Sequence, residues 1–117
     1  MELDHINLKT DRLDETVAFY RDLVGLDVGY RPNFPYPGAW LYHGGRPIVH
    51  LKSPGGRDAD PHDAIDHVAF RTPDLTPILS RLREAGVSHD ARTLPDNSAR
   101  QVFVTDPNGV KVEITGK

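Results

Sequence analysis

"DHINLKT", Asp4–Thr10, is answered by "DHVAFRT", Asp66–Thr72, and that echo decides how the chain is read. Asp, His and Thr are identical between the two heptapeptides, the apolar and basic positions keep their character, and the shift from position 4 to position 66 is 62 residues. Self-similarity at a fixed offset marks two copies of one structural unit. Each heptapeptide alternates apolar and polar residues, as a half-buried strand does. Downstream of the first, Leu13, Val17, Tyr20 and Val24 recur at spacings of 3 and 4; downstream of the second, Ile78, Leu79, Leu82 and Ala85 lie on one face. Both patterns predict an amphipathic helix.

The helix ends carry their own signals. Asp11 is the expected N-cap of the first helix, with Asp14 three residues on, and Thr76 precedes a proline at the first helical position of the second. Gly25 and Gly86 supply the stops, because glycine takes the left-handed conformation that closes a helix. Three strand patterns follow each helix: Gly25–Arg31, Ala39–His43 and Pro47–Lys52, then Val87–Arg92, Arg100–Thr105 and Gly109–Thr115. The order is therefore βαβββ, twice. "RPNFPYPG" (31–38) and "TLPDNSA" (93–99) are surface connections, and the "GGR" stretches at 44–46 and 55–57 are turns, since neither stands between a strand and a helix. Residues 53–63, "SPGGRDADPHD", have no periodicity and link the halves. The expectation is one domain over residues 1–117, with module one over about 1–52, the linker over about 53–63 and module two over about 64–117.

Composition narrows the functions open to such a chain. With 117 residues, 38% hydrophobic and 26% charged, it can bury one core, and no apolar run approaches the roughly 18 residues of a membrane span. The N-terminus enters a strand pattern at once, without the basic and apolar runs of a secretory signal, so a cytoplasmic location is expected. There is no cysteine, hence no disulfide, thiolate ligand or cysteine nucleophile. Fourteen basic and 17 acidic residues give a net charge of −3 without a basic stripe, which argues against nucleic acid and membrane partners and for a small molecule.

Strand parity then sorts the polar residues. Successive side chains of a strand point to opposite faces. Ile6 and Leu8, like Val68 and Phe70, are expected under the helices, leaving His5 and His67 on the other face. "IVHL" at 48–51 aligns with "KVEI" at 111–114, so Val49 and Leu51 match Val112 and Ile114, and His50 matches Glu113. The repeat thus places His5, His50, His67 and Glu113 on one kind of surface, and a set of His and carboxylate side chains suits a divalent Zn, Ni, Mn or Fe(II) ion. His43, His62 and His89 lack an equivalent partner and are expected to be structural or exposed.

On "DHINL…AFYRDLVGLDV", "DHVAFRTPDL…LREAGV" and "VFVTDPNGVKVEI", nearly the whole chain resembles the vicinal oxygen chelate superfamily, which spans glyoxalase I, extradiol dioxygenases and bleomycin-resistance proteins. The resemblance implies an α+β fold in which two βαβββ modules form an open, cup-shaped mixed β-barrel around one divalent metal, with helices outside. It also implies a homodimer, with exchange of modules between chains possible. By resemblance His5, His67 and Glu113 are metal ligands. His50 stands where glyoxalase I has a glutamate that binds metal and moves protons; here it is either a fourth ligand or an acid/base beside the ion. Asn7, Arg71 and Lys111 share the cavity parity, and Trp40 and Tyr42 share a face of the third strand, so all five are candidate substrate contacts. Phe34 and Tyr36 form either a flap or a dimer contact. The implied chemistry is chelation of a small substrate through adjacent oxygens. A glyoxalase-like lyase or isomerase, a 2-His-1-carboxylate dioxygenase and a non-catalytic drug-binding protein are the readings it leaves open.

Overall fold

Alternation along the strands, and helices laid over one face of them, account for the architecture. A computed structural model describes residues 1–54, 64–105, 107 and 110–117. The linker residues 55–63, with His62 and the second "GGR", and three of the four "DPNG" residues lie outside the described residues. The chain divides into two units, His5–Asp66 and Met1–Asp4 with His67–Lys117, so strand β1 (Glu2–Lys9) starts in one and continues in the other.

In the unit His5–Asp66, helix α1 (Leu13–Ala18) runs into a π-helical stretch, Phe19–Val24, followed by β2 (Asp27–Gly29), β3 (Gly38–His43) and β4 (Arg46–Lys52). The strand order is β2-β3-β4-β1, with β4 and β1 parallel and the other pairs antiparallel. Gly44 and Gly45, at φ of 57° and 77°, make the two-residue turn between β3 and β4, a conformation that other residues rarely adopt. Leu26, Leu41 and Leu51 are buried at the centre, packed by Leu8, Leu13, Val17 and Tyr20.

The other unit holds β5 (Ile65–Arg71) from His67 onward, α2 (Thr76–Glu84), β6 (Asp90–Thr93), β7 (Arg100–Thr105) and β8 (Lys111–Gly116). Its order is β5-β8-β7-β6, again with one parallel pair, β5 with β8. Leu75, Leu79, Val102 and Ile114 form the core, with Ile78, Leu82, Val104 and Val112 around them. Leu51 and Ile114 take equivalent places in the two cores, and the repeat extends to the backbone. Thr10 N–H donates to the Lys52 carbonyl at 2.9 Å, and its counterpart Thr72 N–H donates to the Thr115 carbonyl at 3.0 Å. Gly25 and Gly86 both close their helices at positive φ.

The structure departs from expectation at several edges. Asp11 does not cap α1: Thr10 Oγ1 accepts from Arg12 N–H at 2.9 Å, because the hydroxyl already points to the corner from a buried strand end. Thr76 is not the cap of α2 either; Asp74 Oδ1 accepts its N–H at 2.8 Å. The wider π turn rotates Val24 and Leu23 outward, so Val24 is exposed instead of buried with Tyr20. Ile6 shares a face with Val49 yet is also exposed. Strands β2 and β6 are shorter at their starts than their sequence patterns, since edge residues lack a second partner. Among the described residues no helix is long and apolar enough to cross a membrane.

Leu41→Ala should lower unfolding free energy by about 2–5 kcal/mol, as for other fully buried leucines, whereas Val24→Ala should shift it by under about 0.5 kcal/mol; urea unfolding of the two variants checks both. The Asp74 carboxyl is held below its ordinary value of 3.8 by the Thr76 N–H it accepts. Its stabilisation is therefore complete above that ordinary value and lost as pH falls through the lowered one. Asp74→Ala should melt below wild type at neutral pH, and the gap in melting temperature should close in acid.

Candidate functional site

Two clusters of polar side chains arise from strand parity, one in each unit. In the unit containing β5, β7 and β8, the register sets Ala69 beside Glu113 and Phe103 opposite it. Glu113 is therefore on the face away from the helix, with His67 two residues before Ala69 on the same side. His67 Nε2 lies 2.9 Å from Glu113 Oε2, and the two side chains are only 7% and 3% exposed. The other carboxylate oxygen, Oε1, accepts from Gln101 Nε2 at 2.9 Å. Ala69, fully buried, leaves room beside the pair, and the Phe103 and His67 rings stand perpendicular, with centroids 5.9 Å apart at 88°. A carboxylate so far out of water is tolerable only with its lone pairs engaged.

In the unit His5–Asp66, Asn7 pairs with His50 across β1 and β4, and Trp40 pairs with His50 across β3 and β4. One face thus collects three rings. His50 stacks on His5 with centroids 3.6 Å apart, and on Trp40 at 3.9 Å, both at 13° between planes. His50 Nε2 is 3.1 Å from the Pro47 carbonyl. A carbonyl only accepts, so Nε2 carries the proton and a neutral ring has its lone pair on Nδ1. Asn7 Oδ1 is buried without a hydrogen-bond partner among the described residues, an acceptor whose desolvation they do not offset.

The remaining expected contacts are more dispersed. Tyr42 lies beyond a bulge between Leu41 and Tyr42; its hydroxyl donates to the Tyr30 carbonyl, and burial raises its pKa. Its ring fills the place of a side chain at Gly29, 2.7 Å from where a Cβ would stand. Arg71 pairs with Glu2 beside a surface pocket of about 340 Å³. Lys111 is exposed at the start of β8. His43 is exposed and His89 half-buried, with His89 Nδ1 bonded to the Val87 carbonyl at 2.9 Å. Gln101 was not among the residues singled out from the sequence, although its parity, two positions before Phe103, was the available signal.

The donor set was tested against a divalent ion. Two ligands, each about 2.1 Å from an ion and at right angles, stand about 3 Å apart, close to the 2.9 Å between His67 and Glu113. The same separation lets a proton hold the pair when no ion does. Gln101 on the second carboxylate oxygen fits as well, since ligating carboxylates are themselves hydrogen-bonded. These residues fit a divalent metal.

Comparison with known proteins agrees with the fold. A relative named "Glyoxylase I 4" from Arabidopsis thaliana is 28% identical, over 96% of this chain and 68% of that protein. "Lactoylglutathione lyase" of Haemophilus influenzae is 27% identical, over 97% and 90%. The crystal structure of methylmalonyl-CoA epimerase from Mycobacterium tuberculosis superposes with a TM-score of 0.79 at 25% identity, over 98% of this chain and 87% of that one. A profile described as Glyoxalase/Bleomycin resistance protein/Dioxygenase superfamily matches residues 2–114, and the chain belongs to that superfamily.

Proposed function

We propose that the protein is a divalent-metal-dependent enzyme in which His5, His67 and Glu113 each give one ligand atom to a single ion. On this reading it holds a small substrate through two adjacent oxygens and moves a proton on it, as a glyoxalase-like lyase or isomerase. The observation that carries it is the buried His67–Glu113 pair backed by Gln101. Two imidazoles and a carboxylate suit a Zn, Ni(II), Mn(II) or Fe(II) ion. The relatives named as a lyase and an epimerase support proton transfer ahead of ring cleavage by oxygen.

A bound ion would supply Lewis acidity, stabilising negative charge that develops on the chelated oxygens. The rest falls to the chain. His50, with Nε2 committed to Pro47 and both faces covered by His5 and Trp40, is assigned beside the ion instead of on it. It holds the His5 ring in place, and its Nδ1 is the atom that accepts the substrate proton. Asn7 Oδ1 is an acceptor for a substrate hydroxyl, a bond that would satisfy its buried oxygen. The homodimer implied by the family is part of this reading, supported by the exposed Phe19, Leu23 and Val24.

Elemental analysis after dialysis against Ni(II), Mn(II) and Fe(II) should find about one ion per chain; His5→Ala and Glu113→Ala should each abolish uptake, and metal-binding variants would sink the proposal. Gln101→Ala should weaken metal affinity about 10–100-fold while leaving the ligand set complete, measured by competition with a chelating dye. His50→Asn should keep the ion yet cost about 10²–10⁴ in turnover. Paired assays decide the reaction: isomerisation of a hemithioacetal against oxygen uptake with catechols, where oxygen uptake would favour the dioxygenase.

A further inference from the structure

The connection between β2 and β3 holds an arginine whose surroundings differ from those of the other arginines engaged with side chains. Arg12, Arg21, Arg71 and Arg92 each face a carboxylate. Arg31 faces none among the described residues. Its guanidinium lies over Phe34 at 4.8 Å and Tyr36 at 5.2 Å from the ring centroids. One of its five N–H bonds is used, from Nη2 to the Tyr36 carbonyl at 3.1 Å, while the buried Nε has no acceptor. Burial also holds its pKa below the ordinary value, as expected of a cation short of compensating charge.

The seat for this group is built into the chain. A Cβ at Gly38 would clash first with the Leu51 carbonyl oxygen and then stand 2.7 Å from Arg31 Nη2 and 2.9 Å from its Cζ, so the glycine that lets β3 lie close to β4 also leaves room for the guanidinium. A second cation shares the platform: Lys52 Nζ is 5.4 Å from the centre of the Tyr36 ring. Phe34 and Tyr36 stack at 5.4 Å, and Phe34 reaches Trp40 at 6.2 Å. Trp40 in turn covers His50. Two cations with no carboxylate partner among the described residues therefore stand on an aromatic platform that leads, ring to ring, to His50 and His5.

We infer that Arg31 and Lys52, mounted on Phe34 and Tyr36, form a binding site for an oxyanion, the carboxylate or phosphate of a small organic ligand. The guanidinium fork matches either group with paired N–H bonds, and the ammonium adds charge without directional demand. Ring faces beside the cations suit the ligand's apolar part. Calling this oxyanion the distal end of the substrate rests on the metal-centre reading; the site itself does not.

The protein has a single tryptophan, Trp40, which makes its fluorescence a local reporter. Titration of the full chain with malonate and with pyrophosphate, followed by Trp40 emission and by calorimetry, should show saturable binding of at least one, with the preferred probe separating carboxylate from phosphate recognition. Arg31→Gln should weaken that binding about tenfold or more, Lys52→Gln severalfold, and raised salt should weaken it in the wild type. Both variants should take up metal as the wild type does, and His5→Ala should keep oxyanion binding after losing metal, so the two readings fail separately. Absence of saturable binding for both probes, or undiminished affinity in Arg31→Gln, overturns the inference; should Arg31→Gln not fold, undiminished affinity in Lys52→Gln does so.

Discussion

A carboxylate buried to within a few per cent of complete exclusion from water is the constraint around which one unit is organised. Left alone, Glu113 would take up a proton or unfold its surroundings, since burying a lone charge costs several kcal/mol or more. The fold answers with His67 on one oxygen and Gln101 on the other. Those partners must come from β5 and β7, the strands on either side of β8, so strand order and register are both tied to this one side chain. Ala69 then has to be small, and the Phe103 ring has to stand perpendicular to that of His67.

The repeat places His50 where Glu113 stands, and the two units treat that position differently. A carboxylate needs hydrogen-bond donors on both oxygens. An imidazole needs one acceptor and otherwise tolerates apolar contact on its faces, which Pro47, Trp40 and His5 provide. The same strand position therefore yields a hydrogen-bonded carboxylate in one unit and a ring in an aromatic stack in the other. This difference suits the roles proposed for the two equivalent residues, Glu113 as a metal ligand and His50 as the acceptor of a proton.

Parity along single strands was enough to place His5, His50, His67 and Glu113, because a strand has only two faces and the apolar residues claim one of them. The helices and most strands were legible for the same reason. Elements that depend on contacts between distant residues were not. The π turn at Phe19–Val24 keeps helical spacing in the sequence while changing the rise and rotation that spacing implies. Neither helix has the side-chain cap expected of it; Thr10 and Asp74 instead accept the N–H two residues on, at the turns that lead into the helices. Gln101 and Arg31 escaped notice because their roles exist only through a neighbouring strand's register and through the space left by Gly38. Arg71 had the right parity and a different partner, Glu2, at the start of β1.

Stability and function pull apart at His67 and Glu113. Replacing a buried ion pair with apolar side chains of similar volume is often neutral or stabilising by about 1–4 kcal/mol. Folding alone thus gives no reason to prefer this pair over a leucine and a methionine, which would extend the packing of Ala69 and Phe103. Leu75, Leu79, Val102 and Ile114 already form the core on the opposite face of the same strands. A pair that the core does not need, held by a glutamine that serves nothing else in view, is better explained by something that binds there than by the fold it sits in.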